Sequence, residues 1–197
     1  MREPEHSVST PAATRFGLVA IGFHWLLALA IVASFSVGLY MNDLPFSVQR
    51  VKLFNYHKWA GVTILVLSVL RLLWRVTHRP PPLSQRVQAA MPPWQHRAAN
   101  FSHFMMYLLF LAVPLLGWAY SSAAGLQIVW FGVLPLPDFV PVDKEFAKEV
   151  LKPLHRYLAY ILAGLVVVHV AAALKHQFVD RDGLMARMWP GGVSSKT

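Results

Sequence analysis

Four apolar runs, at residues 18–41, 59–76, 104–120 and 157–174, decide what this chain can become, because ionisable side chains rarely interrupt them. Each is close to the roughly 20 residues an α-helix needs to cross a hydrocarbon layer. Such a layer offers backbone N–H and C=O groups no partner, so runs of this length enter it as helices. Composition agrees: 56% of the 197 residues are hydrophobic and 14% are charged, whereas a soluble domain carries about a quarter charged residues. The reading is an all-α integral membrane four-helix bundle, residues 15–178, with spans at about 18–41, 57–76, 103–120 and 154–175. Disorder and a coiled coil are excluded, and the first run reads as a membrane helix rather than a secretory leader.

The net charge of +9 is unevenly spread, which sets an orientation. Arg2, Arg15, Arg71, Arg75, Arg79, Arg86, Arg97, Lys175, Arg181, Arg187 and Lys196 fall on one side of the bundle, with Glu3, Glu5, Asp180 and Asp182. Arg50, Lys52, Lys58, Lys144, Lys148, Lys152 and Arg156 fall on the other, with Asp43, Asp138, Asp143, Glu145 and Glu149. The richer basic side faces the cytoplasm, so both termini lie there. The basic residues form no compact domain, which excludes a nucleic-acid partner.

Between the spans, residues 1–14 read as a flexible cytoplasmic tail, and the proline-rich stretch 79–93 as an extended cytoplasmic loop. Residues 121–153 read as a semi-polar loop on the outer interface, with a short surface helix at 143–152. Residues 179–197 read as a second cytoplasmic tail, and the chain after Lys175, which carries Gly191 and Gly192, is expected to fray. Trp25, Trp59, Trp74 and Trp118 sit near span ends, where an aromatic belt is expected.

Cysteine is absent, which removes disulfides, iron–sulfur clusters, thiolate-bound zinc and covalent haem attachment together. Histidine is plentiful, and an imidazole inside a membrane helix is a functional candidate because hydrocarbon offers it no partner. In span four, His155 and His169 are fourteen residues apart, which returns to nearly the same helix face about 21 Å along the axis. His24 enters span one from the cytoplasm at the depth of His169, and His57 opens span two level with His155. The up-and-down topology therefore generates two facing pairs, His24 with His169 and His57 with His155.

Two neutral imidazoles facing each other across a bundle suit the axial positions of a b-type haem. Gly17, Gly22, Ala60, Gly61, Ala163 and Gly164 leave room for a flat ring, although small residues also serve close helix packing. Zinc is the rival metal. It wants three or four ligands at one level, whereas these pairs stand roughly 20 Å apart. A haem-free transporter or scaffold is the other rival, but no broken-helix or inverted-repeat pattern supports it. Arg71, fourteen residues after His57 on the same face, comes level with the inner pair and suits a haem propionate or a quinone, or else snorkels. His103 opens span three without a depth-matched partner.

These residues resemble the bacterial cytochrome b561 family of four-helix membrane cytochromes. The resemblance runs from about Gly22 to Arg187. It rests on His24-Trp25, His57 with Gly61, Arg71-Leu72-Leu73, Tyr107-Leu108-Leu109-Phe110 with Pro114 and Gly117, Lys152 with His155, and His169 with His176. The resemblance implies two haem b groups, with His24 and His169 as ligands of the inner iron and His57 and His155 as ligands of the outer one. It further implies a multi-pass protein of the bacterial inner membrane, similar to stand-alone members that act as oxidoreductases between superoxide and ubiquinone. Arg50, Lys58 and Lys152 would then steer superoxide, and His176 and His103 would serve a quinone or a propionate. The alternative role is an electron conduit or anchor subunit for a dehydrogenase or hydrogenase. Expected partners are lipid, quinone and a small electron donor, with a second copy or a redox protein left open.

Overall fold

The structure is a computed structural model and describes residues 15–190. The tail at 1–14, and Gly191 and Gly192 with the residues after them, lie outside the described residues.

Four long helices account for most of the chain: α1 (Leu18–Asp43), α2 (Val48–Thr77), α4 (Pro93–Ala123) and α6 (Lys152–Lys175). Each contributes to a segment long and apolar enough to cross a membrane. Their exposed Leu, Val and Phe side chains, such as Leu29 on α1 and Val167 on α6, are what a lipid-facing surface requires. Packing runs from α1 to α2, from α2 to α4 and from α4 to α6. The fourth seam, between α1 and α6, closes through side chains such as Phe35 against Tyr160, whose ring centroids are 5.9 Å apart. Helices α2 and α6 therefore face each other diagonally across the bundle.

Two helices begin well before their apolar runs. Helix α2 starts at Val48, where the Ser47 hydroxyl accepts from the Arg50 N–H at 3.2 Å. Helix α4 starts at Pro93, whose missing N–H costs nothing in a first turn. Hydropathy marks the part of a helix in lipid and misses polar turns that project into the headgroups. The stretch 79–93 is not wholly extended, because α3 (Gln85–Ala90) forms behind an N-cap at Ser84.

The outer connection holds an antiparallel hairpin, β1 (Val129–Trp130) with β2 (Leu134–Pro135), turned through left-handed backbone at Phe131 and Gly132. The Trp59 indole donates to the Val129 carbonyl at 2.6 Å and the Trp130 indole to the Thr63 hydroxyl at 3.2 Å, which tie the hairpin to α2. The surface helix expected at 143–152 is instead the first part of one continuous helical segment. Asp143 caps α5 (Lys144–Phe146), a π-turn spans Ala147–Leu151, and α6 follows directly. Pro153 has no N–H to give the Glu149 carbonyl, and one residue earlier the Lys152 N–H reaches back to Ala147.

The expected fraying after Lys175 is corrected as far as Pro190. A π-turn at His176–Asp180 leads through left-handed Arg181 and Gly183 into a 3₁₀ turn at Met185–Met188. This strap docks on the end of the bundle where α1 begins and α6 ends. The Trp25 indole donates to the Met188 carbonyl at 2.7 Å, Arg15 donates to the Trp189 carbonyl at 2.7 Å, and Arg187 donates to the carbonyls of Pro81 and Pro82.

Candidate cofactor site

The bundle brings the four spaced histidines into two facing pairs. At the outer level, the rings of His57 on α2 and His155 on α6 have centroids 6.1 Å apart and planes at 87°. At the inner level, the rings of His24 on α1 and His169 on α6 are 6.2 Å apart at 61°. Between them, Met106, Leu109, Phe110 and Leu162 form a buried apolar cluster. Leu162 stands seven residues from each α6 histidine, so the cluster separates two distinct polar levels.

Backbone carbonyls hold the outer pair. The Nδ1–H of His57 donates to the Ser34 carbonyl at 3.0 Å, with the Ser34 hydroxyl 3.2 Å from the same nitrogen. The Nδ1–H of His155 donates to the Val113 carbonyl at 2.9 Å. A neutral imidazole that donates through Nδ1 keeps its lone pair on Nε2, which fixes the tautomer a metal ligand needs. Both rings line a cavity of about 430 Å³ walled mainly by apolar groups, among them Ile31, Phe35, Gly61 and Ala163. Of the small residues expected to leave room for a flat ring, Gly61 and Ala163 line this cavity, whereas Gly22 and Gly164 are exposed and are not in its wall.

The inner pair has a third imidazole that the sequence did not place. The sequence offers His103 no depth-matched partner, yet its ring centroid is 5.5 Å from that of His169. The polar turn preceding the apolar part of α4 is helical, and it swings His103 toward α6. The three inner rings do not converge on a small ion. Among the described residues, the only trio of such ligands whose donor atoms all lie within 4.8 Å of one another is His176, Asp180 and Asp182. Arg71 reaches the inner level as expected. Its guanidinium lies over the Tyr107 ring at 5.3 Å and acts electrostatically on His24, His103 and His169.

The remaining candidates divide. Lys58 and Lys152 line the outer cavity together with Arg156, and the Lys58 ammonium also donates to the Leu126 carbonyl at 3.0 Å. Arg50 is not in that wall and instead covers the Phe54 ring at 5.6 Å. His176 is held at the turn after α6, its Nδ1 at 2.6 Å from the Asp182 carboxylate and 3.1 Å from that of Asp180. Only its Nε2 is left for another partner.

The sequence gives Gly38 no role and marks Gly117 only as part of the family resemblance, yet both back the outer histidines. A Cβ on either would lie 3.1 Å from the Cε1 of His57 or His155 respectively. Each glycine follows by four residues the carbonyl that its histidine uses, Ser34 or Val113, a relation visible only once the rings are placed.

Comparison with known proteins finds relatives along almost the whole chain. The family model described as prokaryotic cytochrome b561 matches residues 15–191. Cytochrome b561 homolog 2 of Escherichia coli (strain K12) is 33% identical over 181 residues, covering 91% of this chain and 93% of the relative. Cytochrome b561 homolog 1 of the same organism is 31% identical, covering 89% of this chain and 97% of the relative. A protein of Yersinia pestis named probable superoxide oxidase CybB is 29% identical, covering 89% of this chain and 96% of the relative.

Proposed function

The chain belongs to the prokaryotic cytochrome b561 family, and from that premise we propose that it carries two haem b groups and passes electrons from superoxide outside the bacterial inner membrane to ubiquinone within it. Membership makes it a multi-pass membrane electron-transfer protein that binds haem b. The finer reading rests chiefly on one observation, the two facing histidine pairs with centroid separations of 6.1 and 6.2 Å.

The donor set fits the group. Two metal–imidazole bonds of about 2 Å each, plus the distance from each nitrogen to its ring centre, come to about 6 Å. The outer pair adds the Nδ1 bonds to Ser34 and Val113, which raise ligand basicity and orient the rings. When bound, haem b supplies a one-electron carrier at each level. The chain's residues do the rest. His24 with His169, and His57 with His155, would hold the two groups, and an iron held by two imidazoles would carry electrons rather than bind oxygen.

Lys58, Lys152 and Arg156 concentrate positive charge at the outer cavity, which raises the local concentration of a small anion and speeds its encounter. The name carried by the Yersinia relative supports superoxide as that anion. Two superoxide ions each lose one electron and leave as dioxygen, and ubiquinone takes up both electrons with two protons. On the inner side, His103 offers an imidazole proton donor for a quinone carbonyl oxygen, with Arg71 holding positive charge beside it. The charge asymmetry puts the inner level and both termini toward the cytoplasm.

The test is quinone reduction by the purified chain supplied with an enzymatic superoxide source. The expected result is reduction that superoxide dismutase abolishes. A chain that holds haem yet reduces quinone only with an added dehydrogenase subunit is instead a conduit.

A further inference from the structure

We propose that Gly38 and Gly117 are positioning residues that set the ring planes of His57 and His155, and with them the spectroscopic character and potential of the outer centre. This rests on the reading that those two histidines hold a haem.

The two seats are built alike on different helices. On α1, His57 donates to the Ser34 carbonyl and its Cε1 faces the position one turn on, at Gly38. On α4, His155 donates to the Val113 carbonyl and its Cε1 faces the position one turn on, at Gly117. Residues four apart lie on one face of a helix, so carbonyl and glycine together form a notch into which the ring edge fits. A Cβ would stand 3.1 Å from Cε1 in both seats, and 3.5 or 3.3 Å from Nδ1 at Gly38 or Gly117 respectively. A free ring would retreat by a few tenths of an ångström. These rings are held by the carbonyl at Nδ1 and would be held by the metal at Nε2, so the added methyl must turn the plane or stretch a bond.

The inner pair lacks this device. Among the described residues no hydrogen bond holds the ring of His24 or His169, and their planes stand at 61° instead of 87°. Near-perpendicular axial imidazoles give a low-spin ferric centre with a strongly anisotropic paramagnetic signal, and turning one ring reduces that anisotropy. Hydrogen bonds at Nδ1 raise ligand basicity and favour the ferric state.

The experiment compares purified wild-type, Gly38→Ala, Gly117→Ala and His57→Ala protein by electron paramagnetic resonance and by redox titration followed in the visible spectrum. The inner haem serves as reference for folding. In either alanine variant the outer signal is expected to lose anisotropy with a shift of the outer midpoint, or the outer haem to be lost, with the inner haem unchanged. Outer signals and midpoints identical to wild type in both variants overturn the proposal. Loss of both haems together in both variants overturns it too, because a local seat leaves the inner pair intact. A His57→Ala chain that keeps both haems defeats the ligand assignment itself, a failure separate from that of the seats.

Discussion

At the residue scale, the histidines were legible because spacing alone carried them. Fourteen residues on one helix return to the same face, and an up-and-down topology then supplies the partners. Replacing His57 or His155 by alanine should remove one haem and leave the other, read as a halving of haem per chain by pyridine haemochrome. Arg71 was legible by the same arithmetic. Its cation near the inner pair favours the reduced state, so Arg71→Gln should lower the inner midpoint by the equivalent of about 2 kcal/mol, the Coulomb energy over roughly 8 Å at an effective dielectric of about 20, with the outer one unmoved. Gly38 and Gly117 were not legible, because a glycine in a membrane helix is as readily explained by close packing. Only the position of a ring against each one distinguishes the two roles. His103 was legible as a candidate but its closeness to His169 was not, because the polar turn before an apolar run carries no hydropathy signal yet continues the helix.

At the element scale, the four spans were readable and their ends were not. Hydropathy reports contact with lipid, whereas helix ends are set by caps and by proline, as at Ser47, Pro93 and Asp143. The π-turn at Ala147–Leu151 had a local cause in Pro153, but a proline early in a helix is ordinarily just an N1 residue. The docked strap was unreadable because it is made of long-range bonds, with Trp25 reaching Met188 and Arg187 reaching Pro81. Trp25→Phe keeps the ring but removes the hydrogen bond, which is worth about 1 kcal/mol. The expected outcome is faster proteolytic nicking between residues 181 and 190, with the outer haem spectrum unchanged. Unchanged nicking would mean that other contacts of the strap suffice.

At the scale of the whole molecule, charge separates the two faces. Lys58, Lys152 and Arg156 converge on the outer cavity from α2 and α6, a convergence that the linear sequence suggested only as a count of basic residues. If this field guides an anion, the second-order rate with superoxide should fall as salt rises, because the Debye length shrinks from about 30 Å at 0.01 M to about 8 Å at 0.15 M. Lys152→Glu should lower that rate several-fold and flatten its salt dependence, while quinone reduction driven by a neutral reductant stays unchanged. Stopped-flow kinetics at two ionic strengths checks both.

The whole account depends on two separate imidazole pairs, each holding its own iron porphyrin. The most direct measurement is the haem b content per polypeptide of the purified wild-type chain, by pyridine haemochrome against quantitative amino-acid analysis. Two haems per chain, both low-spin and both reducible by dithionite, are the predicted result. A fully folded chain that holds one haem or none contradicts it.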